Sequence, residues 1–400
     1  MKFIYVLIDF FFHILPVDKN RVLFTSFGGK YHDNPKYISQ KLHEMHPEKR
    51  IFWEIWNDSC LPDIPDYVTV LRPGTLRHCI YKNRCKIIID SGAGYSIFNT
   101  INQIKRFIKI KLFDNRKQYN LSTWHGNPIK CFGADIHGNE NWSRESLYTT
   151  SDGMLTDSDY VANIMYKAYL EKIPMINIGT PRTDLLFNNT EALSIELRKK
   201  LELPLNKKII MYAPTWRNNA DDSGLIQLGM IEIDKLTKAL ESRFGGEWTF
   251  LLRAHNNVLA ELRNRGVFEY YGNKLIDGNI GVDMMEYMCA TDALLTDFSG
   301  SVYDVALTAK PCFLFSHDLE QYEKERGMYK PITFFPYTYS ATFGELIANI
   351  ESYDETVAEQ KRMDFLKRIG NKNDGNVAKK VIEYLENELK DCFTPINKSL

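Results

Sequence analysis

Short apolar runs that end in glycine or polar residues alternate with helical stretches from residue 21 onward. Short, nearly continuous apolar runs are typical of strands that are buried on both faces of a parallel sheet. Their alternation with helical segments favours parallel sheets with crossover helices. In the first half of the chain the predicted strands are residues 21–29, 50–56, 85–92, 119–126, 153–158 and 175–182, with a predicted helix at 35–45.

The same pattern restarts after a charged helical stretch at about residues 190–203. Because 400 residues exceed what one hydrophobic core usually spans, we predict two α/β domains that are split near residue 190 and face each other across a cleft. The last part of the chain, from about residue 340, is predicted to be helical. The second-half strands are predicted at residues 208–217, 248–255, 273–278, 293–300 and 311–316, and helices at 233–244 and 283–292.

Composition and charge narrow the class of protein. A hydrophobic fraction of 44% argues against disorder, and a net charge of −1 argues against nucleic acid as a partner of the whole chain. The seven cysteines are scattered without a C-x-x-C pair, which indicates reduced thiols and no structural zinc site.

Two segments bear on membrane association. Residues 3–15 are strongly apolar, yet they fall short of the roughly 20 residues that span a bilayer. They fit either a buried first helix or strand or a membrane anchor that lies in the plane of the membrane. We assign residues 1–20 to this membrane-associating segment. Residues 101–113 are predicted to form a basic amphipathic helix that suits either an anionic membrane surface or solvent. The two segments together favour a membrane surface as a partner.

The stretch "STWHGNPIKCFGAD" (122–135) contains the strongest catalytic candidate. His125 directly follows a predicted strand, and Gly126 lets the backbone pass close to a ligand. A lone histidine is often structural, but an imidazole with a near-neutral pKa also suits a general base that takes a proton from an alcohol. Asp135 is expected to orient the imidazole if the loop folds back.

Cationic side chains end two strands of the second half. Arg217 ends "APTWR", and Arg253 and His255 end "FLLRAH". Ligands of open α/β sheets lie beyond the carboxyl ends of the strands, where such residues suit a phosphate or pyrophosphate. The alternatives are a surface ion pair for Arg253 and stacking on an aromatic ring for Arg217.

The stretch "TDFSGSVYD" (296–304) lies at a strand-to-helix junction. Ser299, Gly300 and Ser301 leave backbone amides free at a predicted helix start, which favours an anion site, although plain N-capping is also common there. Asp297 does not suit phosphate, so we expect it to orient a neighbour or to contact a sugar hydroxyl.

The glycine-rich turn "SFGGKYHDNP" (26–35) matches neither the Walker spacing nor G-x-G-x-x-G. A kinase, an ATPase or a dinucleotide enzyme is therefore unsupported. By its position the turn faces the cleft from the first domain, where an acceptor would bind. The candidate residues are Gly28, Gly29, Lys30 and Asn34.

Six motifs in order resemble the CDP-glycerol glycerophosphotransferase family of teichoic acid primases and polymerases. They fit from about residue 21 to residue 335, and a further segment at 318–329 is also similar to the family. The motifs are "FTSFGGKYHDNPKYI", "STWHGNPIKCFGAD", "IGTPRTDLLF", "IIMYAPTWR", "LLRAH" and "TDFSGSVYDVALTAKPCFLF".

This resemblance implies a GT-B architecture, with a Rossmann-like acceptor domain at residues 21–188 and a Rossmann-like CDP-donor domain with C-terminal helices at 189–400. It implies that a hydroxyl of a polyprenyl-diphosphate-linked saccharide attacks the β-phosphorus of CDP-glycerol and releases CMP, at the cytoplasmic face of the cell membrane. By resemblance His125 is the base, Arg217 and His255 bind the donor pyrophosphate, and Thr296, Asp297 and Ser299 belong to the donor site.

Two positions depart from the family pattern. Gly300 stands where members commonly have a second serine, for which Ser301 is a substitute, and Asn256 stands where proline often follows the R-x-H motif.

No acidic cluster suits a dedicated Mg²⁺ site, so neither a metal nor another cofactor is predicted. The alternatives are a sugar transferase or epimerase using a UDP-sugar, a CDP-ribitol-dependent transferase and a non-catalytic scaffold on the same fold.

Overall fold

The computed structural model describes residue 12 and residues 16–56, 58–91, 118–136, 151–168, 173–215, 228–254, 256–280 and 283–393. The first half of this described chain forms a seven-stranded parallel sheet. Its strands are β1 (Asp18–Thr25), β2 (Arg50–Glu54), β3 (Val68–Leu71), β4 (Cys85–Asp90), β5 (Tyr119–Ser122), β6 (Gly153–Thr156) and β7 (Met175–Asn177). They are arranged in the order β3-β2-β1-β4-β5-β6-β7.

The second half forms a six-stranded parallel sheet. Its first four strands along the chain are arranged in the same spatial order as the first four strands of the first sheet. Its strands are β8 (Lys208–Ala213), β9 (Trp248–Leu252), β10 (Leu275–Asp277), β11 (Ala293–Thr296), β12 (Cys312–Phe315) and β13 (Thr338–Ser340). They are arranged in the order β10-β9-β8-β11-β12-β13. Every predicted strand is confirmed, within a few residues at its ends.

Helices connect the strands and cover the sheets. The predicted helices at 35–45, 190–203, 233–244 and 283–292 and the helical C-terminus are confirmed. The helices are α1 (Asp33–Met45), α2 (Leu76–Arg84), α3 (Asp159–Ala168), α4 (Asp184–Phe187), α5 (Glu191–Lys200), α6 (Ile233–Phe244), α7 (Asn256–Asn264), α8 (Val267–Tyr271), α9 (Met284–Ala290), α10 (Ser301–Val305), α11 (Leu319–Arg326), α12 (Phe343–Glu351), α13 (Glu355–Ile369), α14 (Val377–Glu388) and α15 (Lys390–Phe393).

Burial on both faces explains why the central strands are continuous apolar runs. Val22, Leu23 and Phe24 of β1 are each 0% exposed, although successive strand residues point to opposite faces. Val22 and Phe24 join a core cluster with Ile38 of α1, whereas Leu23 joins a separate cluster on the other face. Both faces of this sheet are therefore covered.

The sequence pattern did not predict β3 and β13. Both are short, and each lies at the edge of its sheet. Residues 69 and 70 of β3 are only half-buried, and Thr338 of β13 is exposed. Partial exposure weakens the apolar pattern of these two strands, although the sequence did predict β7 and β10, which are also edge strands.

Each sheet has one point at which the strand order reverses. The chain runs outward from β1 through β2 to β3 and then returns to the other side of β1 as β4. The second sheet repeats this path outward from β8 and returns as β11. Ligands of open α/β sheets bind at such a switch point, beyond the carboxyl ends of the two strands. The candidate sites are therefore expected beyond β1 and β4, and beyond β8 and β11.

The helix α14 returns to the first half of the chain. Its residues Val377, Val381 and Leu385 belong to the same core cluster as Phe24 of β1 and Leu42 of α1. The predicted division between residues 188 and 189 lies in the segment that links β7 to β8. We propose that this division separates the two sheets, while α14 completes the first half.

The membrane segments remain predictions. Residues 101–113 lie outside the described residues, and of residues 1–20 only 12 and 16–20 are described. In the described parts of the chain, no helix combines the length and apolar character needed to cross a bilayer.

Candidate active site

His125 lies at the switch point of the first sheet. It follows the end of β5, and its ring Nδ1 lies 3.0 Å from the carbonyl oxygen of Ser91, directly after β4. Because a carbonyl oxygen only accepts hydrogen bonds, Nδ1 carries the proton and Nε2 keeps its lone pair. No described residue forms a hydrogen bond with Nε2. The imidazole is thus held as the tautomer that a general base requires.

Two aromatic rings fix the orientation of the His125 ring. Phe27, beyond the end of β1, stacks on it with ring centroids 5.2 Å apart, and Trp124 stacks at 4.5 Å. Trp124 has a positive φ of 52°, which is uncommon for a bulky residue. The unusual backbone at Trp124 brings the histidine to the edge of the sheet.

The surroundings of His125 favour its neutral form. Although His125 is an exposed residue, the protein around it desolvates the imidazole, and this lowers the pKa of His125 below its ordinary value of 6.5. The charges of Arg182 and His32 lower it further, whereas Asp33 and the Ser91 carbonyl act in the opposite direction. At neutral pH the imidazole is therefore ready to accept a proton.

The expected pairing of Asp135 with His125 is wrong. The carboxylate of Asp135 accepts a hydrogen bond from the hydroxyl of Tyr329, at 2.7 Å. The Nδ1 position that Asp135 was expected to occupy is taken by the carbonyl of Ser91. Asp135 therefore connects its loop to the second half of the chain and does not orient the base.

Asn34 was predicted to contact a substrate, and this is also wrong. Its side chain is 1% exposed and donates hydrogen bonds to the carbonyls of Thr123 and Trp124, at 3.1 and 3.2 Å. Its carbonyl oxygen accepts the backbone N–H of Arg182, at 3.1 Å. Asn34 thus holds the unusual backbone that precedes His125.

The glycine turn lies beside the base, and its glycines have different roles. Gly28 and Gly29 both have positive φ, 71° and 62°. A Cβ atom on Gly29 would overlap the ring of Trp56, whereas one on Gly28 would meet no atom within 4 Å. Gly29 therefore allows close packing, and only Gly28 has open space beside it. Whether these glycines contact a ligand stays a prediction.

Lys30 and Arg253 bring positive charge together from the two halves. Burial lowers the pKa of Lys30, and repulsion from Arg253 lowers it further. The guanidinium of Arg253 lies 4.4 Å from the ring centroid of Tyr287 and donates to the carbonyl of Gly278, at 2.6 Å. The carboxylates of Asp283, Glu286 and Asp277 also act on Arg253, so ligand binding by Lys30 and by Arg253 stays a prediction.

At the second switch point, Thr296 and Asp297 support the backbone. Thr296 is 0% exposed and donates to the carbonyl of Ala213, at 2.7 Å, so the expected substrate contact of its side chain is wrong. Asp297 is 1% exposed and accepts from the backbone N–H of Thr215, at 2.8 Å, and from that of Phe298, at 2.6 Å. Asp297 thus orients neighbouring backbone groups, which is one of the two roles predicted for it.

The junction at residues 299–301 faces the His125 loop. The hydroxyl of Ser299 accepts the backbone N–H of Ser301, at 3.3 Å, which is the capping alternative. Gly300 approaches Asn127 so closely that a Cβ atom on it would lie 2.7 Å from the Asn127 carbonyl oxygen. Tyr303 donates to the carbonyl of Pro128, at 3.2 Å. Anion binding by this junction stays a prediction.

A buried charge network joins the two halves beside these contacts. Lys36 of α1 bonds to Asp283, at 2.8 Å, and to Glu286 of α9, at 2.6 Å. Tyr37 also donates to Asp283, at 2.9 Å. The side chains of Lys36, Asp283 and Glu286 are each less than 10% exposed. The first and second halves are thus fixed relative to each other by more than apolar contact.

Three further points complete the site. Arg217 and His255 lie outside the described residues, so their predicted roles stay predictions.

No group of three or more His, Cys, Asp or Glu side chains among the described residues is arranged to hold a metal ion. Sequence reasoning missed Ser91 and Phe27, although both follow strands that flank the switch point.

Comparison with known proteins shows to which family the sequence is similar. Residues 7–387 match the family described as CDP-Glycerol:Poly(glycerophosphate) glycerophosphotransferase. A teichoic acid poly(glycerol phosphate) polymerase of Staphylococcus epidermidis is 30% identical over 334 residues, which are 78% of this chain and 42% of that protein. A teichoic acid glycerol-phosphate transferase of Staphylococcus aureus is 26% identical over 390 residues, 92% of each chain.

A solved structure of a variant of the wall teichoic acid polymerase TagF has the same fold. It superposes with a TM-score of 0.75 at 25% identity, covering 94% of this chain and 90% of that one. The predicted α/β fold of GT-B type, with two Rossmann-like halves, is thereby confirmed. The chain spans less than half the length of the polymerase from S. epidermidis.

Proposed function

The chain belongs to the CDP-glycerol:poly(glycerophosphate) glycerophosphotransferase family, and on that premise we propose that it transfers glycerol phosphate from CDP-glycerol to a hydroxyl of a lipid-linked acceptor. In this reaction the acceptor oxygen forms a bond to the β-phosphorus of the donor. The bond from that phosphorus to the bridging oxygen breaks, and CMP leaves. The product extends or primes a teichoic acid or a related capsule polymer.

The observation that carries the proposal is the fixed tautomer of His125. Its Nδ1–H donates to the carbonyl of Ser91 at 3.0 Å, so the lone pair of Nε2 is left for the proton of the acceptor hydroxyl. The lowered pKa keeps this nitrogen unprotonated at neutral pH. Phosphoryl transfer depends mainly on positioning and on charge stabilisation, and a rigidly held base supplies the first of these.

We assign the stabilisation of charge to the second half of the chain. Arg253 supplies a cation for the phosphates of the donor, and Lys30 of the first half, whose charge interacts with that of Arg253, supplies a second one. Arg217 and His255 are proposed to complete this set, since both follow strands of the second sheet. Ser299, Gly300 and Ser301 lie beside the base loop, where their amides would meet the transferred phosphate.

The acceptor and the location belong to the same proposal. We propose a polyprenyl-diphosphate-linked saccharide as acceptor, bound on the first half near Gly28, with the protein peripheral at the cytoplasmic face of the cell membrane. The apolar residues 3–15 and the basic residues 101–113 support a membrane contact by their composition.

The direct test is product analysis with the full chain. The protein is incubated with a lipid-linked saccharide and, in separate reactions, with CDP-glycerol, CDP-ribitol or a UDP-sugar. We expect CMP release and an acceptor heavier by one or more glycerol phosphate units with CDP-glycerol alone. Release of UDP would identify a sugar transferase, ribitol phosphate addition would identify the other polyol, and no product with any donor would favour a scaffold.

A further inference from the structure

A buried arginine connects the base loop to both halves of the molecule. Arg182 lies in the short 3-10 turn Pro181–Thr183 that follows β7, and it is 8% exposed. Its Nη1 donates to Asp33, at 3.0 Å, and to the backbone carbonyl of His125, at 2.7 Å. Its Nη2 donates to both carboxylate oxygens of Asp304, at 3.0 and 3.2 Å. One guanidinium thus bonds to α1, to the base loop and to α10.

The partners of Arg182 are held in conformations that need support. Asp33 and Trp124, the residue before His125, both have positive φ, 61° and 52°. Such conformations persist where the surrounding structure fixes them. Arg182 bonds to the carboxylate of Asp33, and its backbone N–H bonds to Asn34, which in turn bonds to the carbonyl of Trp124.

The charges of this cluster depend on one another. Burial raises the pKa of Asp304 to about 6, and Arg182 opposes this rise. A buried ion cluster is a poor device for stability alone, because apolar side chains of similar volume stabilise a core as well or better. What the guanidinium provides in addition is direction, since its planar fork sets several hydrogen bonds at fixed angles.

The position of Asp304 connects this cluster to the donor side. Asp304 is in α10, which begins at Ser301, immediately after the junction that packs on Asn127. A shift of α10 therefore moves Asp304 and the junction together. Since Arg182 holds both Asp304 and the carbonyl of His125, the base loop follows that shift.

We propose that Arg182 is a positioning residue that sets the place of His125 relative to the second half of the chain, so that base and donor are aligned in one arrangement. This inference rests on the proposed function for its kinetic consequences. It assigns to Arg182 no contact with the substrate. No signal in the sequence singles out this arginine, although it is part of the quoted motif "IGTPRTDLLF".

Two substitutions separate geometry from charge. Arg182→Lys keeps the positive charge but cannot fork between Asp33, Asp304 and the loop. Arg182→Gln removes the charge. The matched control is Arg198, whose side chain is 11% exposed against 10% for Arg182 and which likewise bonds to carbonyls and to one carboxylate, that of Asp292. It lies away from His125, so R198K and R198Q report the general cost of losing a buried fork.

In steady-state assays we expect R182K to lower kcat by about 100-fold, the effect of misplacing a reacting group by about 1 Å. Equilibrium binding of CDP-glycerol should stay as in the wild type, because Arg182 does not contact the donor. R198K should keep kcat. Equal kcat values for R182K and R198K, or weaker donor binding that accounts for the whole loss, would overturn the inference.

The pH dependence gives a readout that is independent of turnover. The charged groups that face His125 are Asp33, Arg182 and His32. Because the cation of Arg182 lowers the pKa of His125, R182Q should raise it, and NMR titration of the His125 imidazole measures this directly. R182K and R198Q should not move it.

The NMR experiment also distinguishes the two hypotheses. An unchanged His125 titration in folded R182Q would reject the inference even if the enzyme is active. Absence of CMP release by a wild-type protein whose His125 titration responds to R182Q would reject the proposed function and leave the coupling in place. Thermal unfolding confirms that each variant is folded, and R182K keeps the test decisive if R182Q is not.

Discussion

Gly300 of the second half packs directly on the main chain of Asn127 of the first. A Cβ atom on Gly300 would lie 2.7 Å from the carbonyl oxygen of Asn127 and 3.3 Å from its nitrogen. Asn127 is two residues from His125 in the same loop. A single methyl group added at position 300 would therefore displace the proposed base.

The first prediction follows from this contact. Gly300→Ala should push the loop away from the second half and lower kcat by about 10- to 100-fold, because small displacements of reacting groups are costly. Gly344→Ala is the matched control, since a Cβ on Gly344 would meet no atom within 4 Å. Steady-state kinetics with both variants provide the measurement. An active G300A enzyme with unchanged kcat would mean that the two halves tolerate the extra methyl group without moving the base.

A second prediction concerns pH. Because the proposed base acts in its unprotonated form, kcat/KM should fall as the pH falls through the pKa of His125, which desolvation holds below 6.5. His125→Ala should reduce the rate by about 10²- to 10⁴-fold and should abolish this acidic limb. The pH–rate profiles of both proteins between pH 5 and 8 decide the matter. A limb that persists in H125A belongs to another group.

The third prediction concerns Asp135, whose carboxylate bonds to Tyr329 rather than to His125. Asp135→Asn keeps an oxygen that accepts the Tyr329 hydroxyl and should leave both kcat and the acidic limb near those of the wild type. A loss of rate comparable to that of H125A would show that Asp135 takes part in the reaction in a conformation other than this one.

A fourth prediction concerns the stability of the Lys36 network. Lys36→Met leaves Asp283 buried without its cation and should lower the free energy of unfolding by about 3–5 kcal/mol. The control on the same helix is Lys41→Met, because the Lys41–Glu44 pair is exposed and should contribute less than about 1 kcal/mol. Denaturant unfolding at neutral pH measures both values. Equal losses for the two variants would reject the prediction.

The same network has a defined pH dependence. Burial alone raises the pKa of Asp283, but the charge and hydrogen bond of Lys36 outweigh it and hold the pKa below the ordinary 3.8. A depressed carboxyl pKa contributes stability above the unfolded value, and this contribution is lost as the pH falls below about 3.8. The difference between K36M and the wild type should therefore shrink in acid.

Several parts of the structure were predictable because all their residues are buried or because they follow a buried strand directly. Central strands such as β1 are buried on both faces, so their sequences are continuously apolar. His125 stood out because it follows such a strand within a distinctive loop. In contrast, β3 and β13 are short edge strands with half-exposed residues, and they were not predicted, although the edge strands β7 and β10 were.

The errors at the site have a common physical cause. Polar residues near strand ends were assigned to ligands, but Asn34 and Thr296 satisfy backbone groups of the loops instead. The partner of His125 is a backbone carbonyl, at Ser91, and every residue type has one. Arg182 was missed because its partners are distant in sequence, and its own position does not reveal that it is buried.

The return of α14 to the first sheet affects how the chain is made. Phe24 and Leu42 share their core cluster with Val377 and Leu385, so the first half lacks part of its core until α14 is synthesised. The core of the early sheet is therefore completed only after the second sheet and α14 have left the ribosome. A protease that nicks the chain once between β7 and β8 should likewise leave two fragments that remain associated, because the later fragment holds a helix of the earlier one.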